Sequence, residues 1–269
     1  MVRVRAFRTI ENAVRREGYT CVAGVDEVGR GCLAGPVVAG AVALNPGKYV
    51  PRIADSKTVT APERERLFER IVRVAVAWSV SVVEPDEIDR LNIHHASLAA
   101  MHRAVMGLAP QPDFVLVDAF RIPGIPMAQR AVKHGDARCT AIAAASILAK
   151  VTRDRLMKQL HDADPRYGFA RHKGYATREH LEAVAQFGYS AVHRKSFRVH
   201  GAVVGTWDGV AQVVSVAGGD VGQVSVVGEV RPEACLDVTN PTVPTNPTVH
   251  RTHPSHVPTY PPRGEDDGV

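Results

Sequence analysis

The sequence is poor in the features that tie a chain to a membrane or to an oxidising compartment. No stretch approaches the ~18 consecutive apolar residues of a spanning helix, which excludes a helical membrane protein. Residues 1–19 hold no apolar segment of the secretory kind, so no signal peptide is expected there. Four cysteines (Cys21, Cys32, Cys139, Cys235) are spread through 269 residues without CxxC spacing. That excludes a disulfide framework and a structural zinc site, and suits a reducing, cytoplasmic setting. His94, His95, His134, His172, His180 and His193 include no HxxxH pair, so a zinc-hydrolase motif is also missing. Most of them read as surface or supporting residues. There is no internal repeat.

Basic residues are scarce at one end. Residues 203–269 carry three arginines against eight acids, a net −5, whereas the whole chain is +5. The part before residue 203 is therefore +10, a balance that favours a polyanionic partner. Eight prolines fall between Pro232 and Pro262, which rules out regular helix or central strand there. The chain divides into a domain of residues 1–205 and an acidic, Pro-rich tail of 206–269, expected to be disordered. The Val- and Gly-rich stretch 203–230 reads as one or two weak strands or as a linker.

Within the basic part, apolar runs at 21–25, 37–44, 74–83, 114–117 and 127–132 read as strands. Residues 7–17, a stretch opened by Pro62, 85–108, 137–160 and 177–186 read as helices. Pro62 and the following glutamates make a helix start, and Thr177 is a suitable N-cap. Strands that come early and then alternate with helices predict a layered α/β domain with a mixed sheet.

Four acids stand at the ends of such strands: Asp26 and Glu27 after the first, Asp118 after the fourth, Asp136 between the fifth and a long helix. Each alone is more often a turn former or helix cap, and Asp136 would cap well. Together they form a carboxylate set whose mutual repulsion a divalent cation relieves. All-oxygen ligands suit Mg²⁺ or Mn²⁺, and two such ions can activate a water and stabilise a leaving oxygen. Adjacent strand residues point to opposite faces, so Asp26 and Glu27 are expected to share a site only if strand geometry ends there. The glycines of Gly29-Arg30-Gly31 permit such a break and let backbone N–H groups approach a sugar–phosphate chain. Eleven bases against five acids in 150–200 make Lys150, Arg153, Lys173, Arg178, Arg194, Lys195 and Arg198 candidate phosphate contacts.

The segment VAGVDEVGRGCLAGPVVAGAV closely resembles the bacterial type 2 ribonucleases H. The likeness continues through Asp55-Ser56-Lys57, EIDRLNIHHASLAAMHRAV, VLVDAF, KHGDARCTAIAAASILAKVTRD, YGFARHKGYATREHL and HRKSF, over roughly residues 20–200. Two departures stand out. Ala119 occupies a position where the family commonly has Gly, and His134 is inserted between Lys133 and Gly135.

The resemblance implies a ribonuclease H-like fold, a mixed five-stranded sheet flanked by helices. It implies an endonuclease acting on RNA–DNA hybrids and on single ribonucleotides embedded in duplex DNA, in ribonucleotide excision repair and replication. Asp26, Glu27, Asp118 and Asp136 match the catalytic metal ligands, for two Mn²⁺ or Mg²⁺ ions. Gly29, Arg30 and Gly31 match the loop that senses the ribose 2′-OH, and Tyr175 the ring that stacks on the junction sugar. Lys57 is expected on a phosphate and His172, near Tyr175, on the substrate. No membrane or protein partner is implied, and the chain is expected to be a monomer.

Overall fold

The computed structural model describes residues 8–197 except 49, 51–52 and 54–58, together with the backbone of 201–207 and 210–216. Five strands build the main sheet: β1 (Val22–Val28), β2 (Val37–Leu44), β3 (Ala75–Val83), β4 (Phe114–Asp118) and β5 (Ala128–Val132). Their order is β3-β2-β1-β4-β5. β1–β2 and β2–β3 are antiparallel, whereas β1–β4 and β4–β5 are parallel, so the sheet is mixed as expected.

Eight α-helices accompany it among the described residues: α1 (Thr9–Arg16), α2 (Ala61–Val74), α3 (Pro85–Leu91), α4 (Ile93–Met106), α5 (Gly135–Arg138), α6 (Thr140–Ala163), α7 (Phe169–His172) and α8 (Arg178–Phe187). Two of the expected helices are divided. The segment 85–108 breaks at Asn92, whose φ of 65° cannot continue a helix and whose side chain caps α4 by accepting from the N–H groups of His94 and His95. The segment 137–160 starts earlier and breaks at Cys139, which is extended between α5 and α6.

The sheet separates two apolar layers. Val22, Phe114 and Leu116 pack with α2 and α6, while Ala23, Val25, Val115 and Val117 pack toward α4. This is the two-residue alternation of strands whose two faces are both buried. α6 lies on β1 and β2 at backbone distance. A Cβ on Gly24 would stand 2.2 Å from the Ala141 carbonyl carbon, and one on Gly40 2.5 Å from the Ala145 oxygen. Glycine on the strands facing a run of small residues on α6 is thus what sets the helix height over the sheet.

The start of α6 is capped from far away. Glu11 of α1, 2% exposed, accepts from the N–H of Ala141 at 2.8 Å. Asp136 does not cap it, contrary to one reading of the sequence; it sits inside α5. A third cluster, around Met157, Tyr167, Phe169 and Val184, joins α7 and α8 to α6. β6 (Gly201–Trp207) and β7 (Val210–Val216) pair antiparallel, as two strands rather than a linker. Most of the acidic tail lies outside the described residues. No described helix is long and apolar enough to cross a membrane.

Candidate active site

The parallel register places Val25 opposite Val117, so Asp26 and Asp118 stand side by side one residue further on. Alternation along both strands turns them toward α6: Val22, Gly24 and Asp26 on one strand, Phe114, Leu116 and Asp118 on the other. Ser146 of α6 hydrogen-bonds the Asp26 carboxylate from that side. Asp136, 8% exposed, enters from α5, where the preceding Gly135 donates its N–H to Asp118 Oδ1 at 2.7 Å.

Glu27 joins by a route other than the one expected. The strand does not end at Asp26; pairing to β2 continues through Glu27 and Val28. The pairing to β4 stops instead, and Glu27 projects past the end of that strand. There its carboxylate pairs with Arg30 at 3.1 Å and still lies near enough to Asp118 to be repelled by it. The Asp26 side chain bends back so that Oδ1 accepts the Glu27 N–H at 2.8 Å.

These positions are electrostatically costly. Burial, then repulsion by Glu27 and Asp118, and less so by Asp136, push the Asp26 carboxyl well above the ordinary carboxylate range. Burial raises Glu27 too, opposed by Arg30. Four carboxylates without cysteine or histidine are the donor set of a hard divalent cation, and the raised Asp26 marks where positive charge is wanting. Among the described residues, no three acidic, histidine or cysteine side chains converge closely enough to ligate one ion. Glu27 Oε1 accepts from Arg30 and Asp118 Oδ1 from the Gly135 N–H.

Beside the acids runs the glycine loop. Gly29 has φ 96°, and a Cβ there would meet Arg153 Nε at 2.3 Å, so only glycine fits. Gly31 has open space where its Cβ would be. Arg153 and Arg194, both 0% exposed, underlie this loop. Their burial corrects the expectation that they contact phosphate. Arg194 donates to the carbonyls of Gly29 (2.7 Å), Arg30 (2.9 Å) and Gly35 (2.8 and 3.0 Å). Arg153 donates to those of Ala34 (3.1 Å), Pro36 (2.9 Å) and Lys173 (2.9 Å).

Peptide planarity gives the clamp a consequence. In a trans peptide the N–H points opposite to the C=O of the same unit. Drawing the Gly29 and Arg30 carbonyls inward onto Arg194 therefore turns the N–H groups of Arg30 and Gly31 outward. Sequence reasoning missed this role because a buried arginine and a solvated one look alike in a basic segment; the glycines around both clamps were the available signal.

Tyr175 stands across the loop, bridged to Cys32 in antiparallel fashion and 42% exposed. Burial and then the Cys32 thiol hold its phenol above the ordinary value, so it presents a neutral hydroxyl. His172 lies beneath, 8% exposed. Its Nδ1 accepts from the Gly174 N–H at 3.2 Å and its Nε2 meets the Tyr167 carbonyl at 2.6 Å, so both ring nitrogens are taken up by backbone. Lys150 pairs with Asp154, Arg178 with Glu182, and Lys173 with the Ala170 carbonyl, while Lys195 is exposed. Lys57 and Arg198 lie outside the described residues. The inserted His134 takes a left-handed conformation (φ 54°), which absorbs the extra residue and leaves the Gly135–Asp118 bond made.

A family model for ribonuclease HII matches residues 23–200, a span that contains every residue of this site. The chain belongs to the ribonuclease HII family. It is accordingly a ribonuclease H-type hydrolase, an endonuclease for RNA in RNA–DNA hybrids. Its relatives include ribonuclease HII of Aliivibrio fischeri, 52% identical over 182 residues, covering 68% of this chain and 88% of that one. Ribonuclease HII of Mycolicibacterium vanbaalenii is 50% identical over 193 residues, covering 71% and 78%. Among solved structures, ribonuclease H2 of Pyrococcus horikoshii superposes with a TM-score of 0.57 at 27% identity, covering 66% of this chain and 94% of that one. Archaeoglobus fulgidus ribonuclease HII, solved in complex with PCNA, gives 0.58 at 24% identity, covering 68% and 98%, and speaks for the fold.

Proposed function

We propose that this chain cuts at single ribonucleotides embedded in duplex DNA as well as in longer hybrids, on the 5′ side of the ribonucleotide, leaving a 3′-hydroxyl and a 5′-phosphate. The observation that carries the reading is the adjacency of two unlike elements. A carboxylate set at the ends of β1 and β4 adjoins a glycine loop whose N–H groups are turned outward.

Asp26, Glu27, Asp118 and Asp136 would hold Mn²⁺ or Mg²⁺, two ions in the active complex. When bound, such ions supply positive charge for the attacking water and for the departing 3′ oxygen. The carboxylates orient that water in line with the scissile bond. The outward N–H groups of Arg30 and Gly31 donate to the 2′-OH, the one group that tells RNA from DNA at a given nucleotide. Tyr175 packs its ring on the neighbouring sugar, where a deoxyribose fits and an added hydroxyl crowds it. Exposed bases of the +10 body, Lys195 among them, hold the backbone with a salt-dependent affinity. The proposed role is in ribonucleotide excision in the cytoplasm, carried out by the monomer.

The test is a DNA duplex carrying one ribonucleotide, incubated with the full chain and Mn²⁺, with both new ends identified. A single nick 5′ to the ribonucleotide supports the reading. Cleavage of long hybrids without that nick refutes the junction assignment.

A further inference from the structure

Behind Tyr175 lies a hydrogen-bond chain that the proposed chemistry does not use. His180 and His193 are 0% and 1% exposed, packed among Tyr167, Phe169 and Tyr189. His193 Nδ1 faces the Ser190 N–H at 3.0 Å and the Ser190 hydroxyl at 2.8 Å. His193 Nε2 meets His180 Nε2 at 3.0 Å, and His180 Nδ1 meets the Tyr175 carbonyl at 2.9 Å.

These contacts fix every proton. A backbone N–H only donates, so His193 Nδ1 is an acceptor and its hydrogen sits on Nε2. That hydrogen points at His180 Nε2, which must then be the bare nitrogen. His180 consequently carries its hydrogen on Nδ1 and gives it to the Tyr175 carbonyl, which accepts only. The chain closes with both rings neutral and in different tautomers, Nε2–H for His193 and Nδ1–H for His180. Burial keeps both neutral at pH 7, holding His180 down to about 4 and His193 to about 3.

The chain starts in a segment that also grips the glycine loop. Val192 accepts from the Gly35 N–H, Arg194 donates its own N–H to Leu33, and Ala34 bridges His193. Leu33 in turn donates to Gly174, next to Tyr175. The relay thus runs from the segment that clamps one recognition element to the backbone of the other.

We propose that His180 and His193 are positioning residues that fix the height and tilt of Tyr175 over the glycine loop, and so set the preference for a single ribonucleotide over a long hybrid. The proposal rests on the reading of Tyr175 as the sugar-packing ring.

Amide replacements at position 180 separate the two links. Asparagine places an N–H₂ where Nδ1 was and keeps the bond to Tyr175. Glutamine places its amide where Nε2 was, keeping the bond to His193 and losing that to Tyr175. The ratio of single-ribonucleotide to long-hybrid cleavage should fall about tenfold in His180→Gln, the worth of one hydrogen bond, and stay within about twofold in His180→Asn. A merely structural role predicts the opposite order, because asparagine leaves the larger void. An equal or reversed order overturns the proposal.

Tyr175→Ala is measured beside them. An unchanged ratio there overturns the reading of Tyr175 and with it the relay's purpose. A fall there without one in His180→Gln overturns the relay alone. Imidazole ¹⁵N shifts of the unmodified protein at pH 7 need no variant to fold. They should show Nδ1–H for His180 and Nε2–H for His193, and the reverse tautomers overturn the relay itself.

Discussion

The two walls of the active surface are built on opposite principles. On the α6 side, four carboxylates crowd the strand ends and repel one another, with Asp26 buried and Glu27 tied to a single arginine. On the side of α7 and α8, charge and polar groups are just as deeply buried, but they are matched to backbone carbonyls and to one another rather than set against a crowd of carboxylates. Arg153 and Arg194 spread seven bonds over six carbonyls, and three histidines bind backbone or one another. On the proposed reading, residual repulsion marks the wall that would hold a cation for the chemistry, and matched hydrogen bonds mark the wall that would hold a shape for recognition.

The largest effect that would separate the walls is chemical. Asp26→Asn should lower cleavage of any hybrid by about a hundred- to a thousandfold, as loss of one central electrostatic group does, with substrate binding retained. Undiminished cleavage in a gel assay would break the division at once. Next comes the clamp. Arg194→Ala leaves the carbonyls of Gly29, Arg30 and Gly35 without their buried donor and should cost about 3 kcal/mol or more in a denaturant titration. Arg194→Lys should recover little, since an ammonium cannot reproduce the fork.

The histidines extend the contrast to pH. His180 and His193 have folded values near 4 and 3, below the ordinary value near 6.5 that they regain on unfolding. Below pH 6.5 the unfolded chain takes up protons that the folded chain refuses. Their share of stability is therefore complete above about 6.5 and is lost as pH falls through 6.5 toward 4 and 3. Thermal melts of the wild type against His180→Asn should converge over that window; a constant gap would mean the rings titrate normally.

The two loop glycines answer to different walls. Gly29→Ala collides with Arg153 at a positive φ and should destabilise by about 2 kcal/mol or more. Gly31→Ala meets only open space and should leave the melting temperature within a degree or two while weakening substrate binding. The smallest effect is a gain. Ala119 and His134 hold φ of 57° and 54°, so glycine at either should stabilise by about 0.5–1 kcal/mol, read from urea midpoints.

Much of the acid wall was legible in the sequence, because acids at the ends of apolar runs carry their own signal. Sheet order places those ends together, and the strands expected at 37–44 and 114–117 are found at 37–44 and 114–118. The recognition wall was legible only through the glycines, Tyr175 and the family likeness. Arg153 and Arg194 looked like phosphate contacts because burial is a tertiary property that charge patterns do not encode. His180 and His193, read as surface or supporting residues, and His172, expected on the substrate, are all buried, linked by bonds whose partners lie 13 residues apart or close by in chain but on different elements. The route by which Glu27 reaches the site was also hidden, since it depends on β4 ending while β2 continues.

The most direct test of the contrast is the melting temperature of Asp26→Asn against the wild type in EDTA and again in Mn²⁺. Because the folded Asp26 value is raised, its charge opposes folding at neutral pH, and removing that charge relieves the strain. The account predicts that the variant melts at or above the wild type in EDTA, and that Mn²⁺ raises the wild type far more than the variant. A variant that melts lower in EDTA would show that the carboxylate wall is held together rather than held apart, and would contradict the account.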